Sequence, residues 1–240
     1  MTLEGIGSSL MRGVVIMSDG WGFLLRGTLF FDILVLLSFD YIKIVWFVSI
    51  LLPKIETIHL LSHLYKMNLF ILSWNVRECA EFMFDKHVIK IILEAVQMLC
   101  TTVQIVDPTN EIYQHVKVYK IAHKNHPVTV WMRASLDNYL WTLDLVDAMH
   151  EEWKYRYNHP PEKQHKSFVV ATYLRKYAPT ADKFPSTGLT PFALAMPDEC
   201  KSDDPIEAYR KYYQSEAKQK LASWKKRGKP EWYSSAFNEG

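Results

Sequence analysis

The stretch Asp85 to Gln97, DKHVIKIILEAVQ, constrains the fold more tightly than any other part of the chain. Wound at about 100° per residue, it places Met83, His87, Lys90, Glu94, Gln97 and Thr101 on one stripe. Val88, Ile89, Ile92, Leu93, Val96, Leu99, Cys100 and Val103 cover most of the remaining circumference. A helix apolar on nearly every side is a buried helix, so a mainly α, compact multi-helix domain built round this rod is expected. Ionisable groups on its stripe must face a partner, a cleft or a ligand, because an unpaired buried charge is costly. Two readings stand side by side: the stripe walls a functional site, or Lys90 and Glu94 form a structural ion pair at i, i+4.

A chain of 240 residues has ample length for a large core. Its net charge of +2 announces neither a nucleic-acid nor a membrane partner, so any such signal has to be local. Cys79, Cys100 and Cys200 lie far apart with no C-x-x-C, which suggests reduced thiols in an intracellular protein rather than a zinc site or a disulfide framework. His123 and His126 are three apart, but no carboxylate or third ligand is spaced with them. No metal and no cofactor is therefore expected. Neither G-x-G-x-x-G, a P-loop, H-E-x-x-H nor G-x-S-x-G occurs.

Composition divides the chain at Met67. Residues 1–66 read as a hydrophobic N-terminal extension, outside the native domain or appended to it, and residues 67–240 as the helical domain. Within the extension, residues 28–53 are apolar and long enough to cross a bilayer, although Asp32, Asp40 and Lys43 interrupt the run. Three readings of the extension remain: translation upstream of a true start at Met67, a membrane anchor through residues 28–53, or a small packed helical addition. The domain is expected to be a monomer.

From Leu69 to Trp74 the pattern is short, apolar and strand-like, and it stops at Asn75, an N-cap with Glu78 three residues on. A helix or helix pair then carries the stripe to about Gln104, followed by a turn at residues 107–110. Pro127 suits a first helical position, and a single long helix from there to about Tyr157 is predicted. Lys166 to Tyr177 reads as another helix, and Pro179 to Pro197 as an ordered loop over the core. Asp203-Asp204-Pro205 opens a last helix whose continuation is strongly basic.

Two places could receive a polyanion. Lys120, His123, Lys124, Asn125 and His126 precede a helix N-terminus, where free amides favour phosphate, unless His126 and Asn125 merely cap it. Arg210, Lys218, Lys225, Lys226 and Arg227 are interleaved with tyrosines and tryptophans, either as a nucleic-acid footprint or as a solvated face. Trp131 and Asn138 share one arc of the helix after Pro127 and could line a cleft.

Three local patterns resemble the endonuclease V pyrimidine-dimer DNA glycosylases, a family of compact all-helical enzymes that includes phage proteins. Asp85-Lys86-His87 with Glu94 seven residues beyond the histidine is similar to that family's D-x-H and catalytic glutamate. His126-Pro127-Val128-Thr129 resembles its H-V-T with one residue inserted, and Pro230-Glu231-Trp232-Tyr233 its terminal P-x-W-Y. The resemblance spans about residues 67–235.

It implies an N-glycosylase with a coupled AP-lyase step acting on DNA. An amine attacks C1′ of the damaged nucleotide, an imine forms as the base leaves, and elimination cuts the strand. Glu94 would be the catalytic carboxylate, with His87 and Lys90 beside it. The nucleophile would be the α-amine of Asn68, freed after removal of Met67, or Lys90 in its place. Leu69, Leu93 and Gln97 stand where the family carries phosphate-gripping arginines, a departure that leaves recognition of the dimer itself open. Two other classes of function fit the same residues: a non-catalytic nucleic-acid-binding protein, and an enzyme acting on free nucleotides or modified nucleobases.

Overall fold

The rod expected from the polar stripe is the central helix of the computed structural model, which describes residues 67–234. The N-terminal extension and its residues 28–53 lie outside the described residues. Seven α-helices and no strand occur among the described residues, all of them within one compact unit. The helices are α1 (Val76–Phe82), α2 (Asp85–Val106), α3 (Pro127–Met132), α4 (Leu136–Tyr157), α5 (Lys166–Lys176), α6 (Pro205–Tyr213) and α7 (Glu216–Gln219).

Helix α2 packs against α3, α4 and α5, and α1 lies on α4. Val88, Ile92, Val96, Leu99 and Val103 are wholly buried, as the apolar circumference of the rod requires. It is the only helix among the described residues long and apolar enough to cross a membrane, and most of its apolar length is buried inside the protein. Leu69 to Leu72 is not a strand: it runs as a buried extended segment with no sheet partner. Asn75 caps α1 by accepting from the backbone N–H groups of Arg77 and Glu78.

The predicted long helix after Pro127 is two helices. Backbone at Arg133 leaves the helical region, and Ser135 starts α4 afresh by accepting from the Asn138 N–H. A short β-bridge joins Ser135 to Ser186 at this break, and the Ser186 N–H and hydroxyl both donate to the Ala134 carbonyl. The break is thus stabilised by the 179–197 loop, a long-range contact that helical periodicity does not encode. The last helix also stops early. Gln214 closes α6, and residues 221–230 are irregular rather than a basic helical continuation.

One buried cation sets where α2 begins. Arg156, wholly buried near the end of α4, donates to the carbonyls of Ala80, Glu81 and Met83, which lie at or just beyond the C-terminal end of α1. A cation here satisfies carbonyls left without helical donors and opposes the negative end of the helix dipole. The same guanidinium reaches Glu152 at 2.5 Å and Asp85, the first residue of α2, at 3.1 Å. Asp85 in turn accepts from the Ser223 hydroxyl and the Lys225 N–H, so the C-terminal segment is tied to the same knot. Glu152 also holds Arg227 at 2.8 Å. Burial alone would raise the Glu152 carboxyl, but hydrogen bonds from Arg227 and Arg156 outweigh it and hold the group below the usual carboxylate range.

Replacing Arg156 with methionine leaves two buried carboxylates short of a cation and three carbonyls short of a donor. The expected loss is about 3–5 kcal/mol of stability, read as a lowered urea midpoint at neutral pH.

Candidate active site around Glu94

Glu94 sits in the middle of α2, where the apolar stretches on either side fix the helix and bring its carboxylate almost under the surface, 6% exposed. One oxygen, Oε1, pairs with Lys90 Nζ at 2.8 Å, and that lysine side chain is 61% exposed. The other, Oε2, accepts the backbone N–H of Asn68 at 3.0 Å. Lys90 and Glu94 form the i, i+4 ion pair, and the lysine side of the pair opens to solvent.

Asn68 is buried and over-determined. Its amide donates to the Ala195 carbonyl at 2.6 Å, and its Oδ1 accepts from the Leu69 N–H at 2.8 Å and the Tyr209 hydroxyl at 3.4 Å. Tyr209 also donates to Ala193 and accepts from the Ala195 N–H, so the 193–195 loop clamps residue 68 against α2.

His87 is buried on the stripe of α2. Its ring stacks on Phe70 at 4.7 Å, and Nδ1 lies 2.5 Å from the Tyr213 hydroxyl. Burial first, then the charges of Lys218 and Lys90, lower its pKa to about 3. It is a neutral wall of the site. Lys218, brought from α7, completes the cluster: its ammonium lies 5.0 Å from the centroid of Phe70 and 4.8 Å from that of Tyr212. Sequence reasoning named Lys218 only as a DNA contact, since no spacing links it to Glu94.

The DNA-binding residues expected from sequence divide sharply. Lys120, Lys124 and Asn125 are exposed, and the segment before them lies along the stripe, with Thr101 hydrogen-bonded to both the carbonyl and the N–H of Ala122. Thr101 is seven residues past Glu94, a rise of about 10 Å along the helix. His123 is half-buried with φ of 51°. His126 is buried and caps α3, accepting the Val128 N–H, and α3 is six residues long rather than the long helix expected.

Asn138 and Trp131 are corrections as well. Asn138 is wholly buried and spends its amide on Trp131 and Thr190, because it anchors the loop across the helix break. Trp131 is buried against Phe192 and donates to the Thr190 carbonyl. Both side chains are engaged at the helix break and its loop. In the basic C-terminal cluster, Arg210 donates to the Leu72 carbonyl and stacks over Phe82 and Trp232. Arg227 serves Glu152 and Glu81, and Lys226 serves the Tyr155 carbonyl and the Asn158 side chain. Lys225 is exposed over the Tyr157 ring. Most of this cluster holds the chain together rather than forming an open footprint.

Two surface depressions, one lined by Asp204, Glu207, Arg210 and Trp232 and the other by Glu151, Tyr155, His159 and Lys226, lie apart from the cluster; neither is lined by Glu94, Lys90 or Asn68. No group of three or more histidine, cysteine or carboxylate side chains suited to a metal occurs among the described residues.

Two buried imidazoles give the fold a pH dependence with a defined sign. His87 is lowered to about 3, and His150, stacked on Phe168, is lowered to about 4 by burial and then by Lys154. Both are neutral when folded and take up protons on unfolding below their ordinary value of 6.5. Their contribution is complete above that value and is lost as pH falls towards 4 and then 3, by about 1.4 kcal/mol per pH unit for each histidine. Urea midpoints measured from pH 7 down to 4 are expected to fall less steeply for His87→Phe than for the parent protein; parallel slopes would exclude His87 as a contributor.

The model of the family described as pyrimidine dimer DNA glycosylase matches residues 67–165 of this chain. The match begins at Met67 and includes Asn68, His87, Lys90 and Glu94, and it supports a repair-glycosylase type of function. No curated protein and no solved structure matches the chain.

Proposed function

We propose that the segment matched by the pyrimidine dimer DNA glycosylase family works as a DNA-repair N-glycosylase with a coupled AP-lyase step, and that Glu94 is its catalytic carboxylate. The observation that carries this reading is the 3.0 Å hydrogen bond between the Asn68 backbone nitrogen and Glu94 Oε2. By resemblance, the nitrogen at the position of Asn68 is the family's nucleophile, and in this chain the acid and that nitrogen are neighbours. The juxtaposition joins residues 26 apart in sequence, and three further hydrogen bonds hold Asn68 there.

Attack of an amine on C1′ of the damaged nucleotide expels the base and passes through a cationic sugar. A carboxylate beside that carbon stabilises the cation, takes the proton shed by the amine, and returns one in the elimination that follows. Glu94 suits this task because it is held by an exposed ammonium on one side and a backbone N–H on the other. Within a continuous chain the Asn68 nitrogen is a peptide amide, with its lone pair delocalised, and it gains amine character only in a chain that begins at that residue. Exposed Lys90, Lys120, Lys124 and Asn125 would supply phosphate contacts. Leu69, Leu93 and Gln97, uncharged around the site, favour a damaged or modified base as substrate class over the dimer alone.

Duplex oligonucleotides that each carry one lesion, among them a pyrimidine dimer, an alkylated base, a deaminated base and an abasic site, test the reading. Base release or strand cleavage on at least one is expected, and Glu94→Gln should lower turnover by about 10²-fold or more while leaving DNA affinity within about two-fold. Salt-sensitive DNA binding without turnover on any lesion, unchanged in Glu94→Gln, would replace the enzyme by a nucleic-acid-binding protein.

A further inference from the structure

Lys218 is the one cation of the Glu94 cluster with neither a carboxylate ion pair nor a hydrogen bond among the described residues. Lys90, by contrast, is locked to Glu94 at 2.8 Å and points to solvent. Lys218 is half-buried, seated over the faces of Phe70 and Tyr212. Phe70 is two residues beyond Asn68 and stacks on His87, which lies on the same stripe of α2 as Glu94. Lys218 and His87 both lie against the Phe70 ring, two residues from the Asn68 nitrogen that meets Glu94.

An imine-forming lysine needs three things: a neutral fraction near neutral pH, a nearby group to accept its proton, and freedom from a permanent partner. Burial first, then the charge of Lys90, lower the Lys218 ammonium to about 8, against the raising pull of Glu94. Aromatic faces hold the side chain without consuming its donors. Glu94, which accepts from the nitrogen of Asn68 two residues before Phe70, is the base assigned here.

We propose that Lys218 is the amine nucleophile of this site whenever residue 68 lies inside the chain. The proposal rests on the glycosylase reading above and assigns its missing amine. The neutral Lys218 amine forms a bond to C1′ as the bond from C1′ to the base nitrogen breaks, with the electron pair leaving on the base. Glu94 takes the proton lost by the amine. The ring C1′–O4′ bond then opens, O4′ gains a proton, and a protonated imine joins Lys218 to C1′. Loss of a 2′ proton expels the 3′ phosphate, and water hydrolyses the imine to restore the amine.

Borohydride trapping with the full 240-residue chain on a duplex bearing one abasic site tests the assignment, because hydride reduces the imine to a stable secondary amine. The adduct is digested and the modified peptide sequenced by mass spectrometry. The expected result is an adduct on Lys218, with trapping reduced at least tenfold in Lys218→Arg, a variant that keeps the positive charge for DNA binding. Binding of the abasic duplex by Lys218→Arg, measured alongside, separates lost chemistry from lost affinity or misfolding. An adduct on Lys90 or on an N-terminal amine overturns the Lys218 assignment and leaves the glycosylase reading standing. Base release from a lesion-bearing duplex with no adduct on the abasic one overturns both the assignment and the lyase step, and no base release from any lesion-bearing duplex together with no adduct overturns the glycosylase reading itself.

Discussion

Arg156 is the interaction on which the rest of the structure depends. Its guanidinium, inaccessible to solvent, gathers carbonyls at the end of α1, the first side chain of α2 and a carboxylate of its own helix. A buried cation is tolerable only where every donor is used, and here the donors are spread over three carbonyls and two carboxylates. Because Asp85 opens α2, the knot fixes where that helix starts and therefore which way its polar stripe faces. The position of Glu94, nine residues on, follows from it.

The same knot holds part of the basic segment near the C-terminus. Ser223, Lys225, Lys226 and Arg227 wrap the start of α2 and the end of α4, held by Asp85, Glu152 and the backbone of Tyr155. Lys218 is placed differently, since the bend between α6 and α7 turns it towards Phe70 and the stripe. Arg210, Lys226 and Arg227 thus spend their charge on the fold, while Lys218 lies against the aromatic floor of the candidate site.

Around Glu94, aromatic packing does the positioning. Phe70, His87, Phe84 and Tyr213 form a stacked and edge-on cluster beneath the stripe. Such pairs add about 0.5–1.5 kcal/mol each beyond their burial, enough to define the geometry of the groups above them. His87 belongs to this floor. It lies on the polar stripe by helical spacing, but its ring is spent on stacking and on Tyr213.

Helical periodicity alone determined that α2 would be buried, that Glu94 and Lys90 would share a face one turn apart, and that Asn75 and Asp204 would cap helices, because each is a matter of local spacing and backbone donors. The pattern beginning at Met67 likewise marked where the family-like segment starts. Only the tertiary structure decided that the Asn68 nitrogen meets Glu94, that Lys218 joins them, and that His126, Trp131, Asn138 and most of the terminal cations are structural. Those outcomes depend on loops such as 186–195 returning to distant helices. Which polar group is consumed by such a return, and which is left facing solvent, is set by long-range hydrogen bonds and packing that carry no period along the chain.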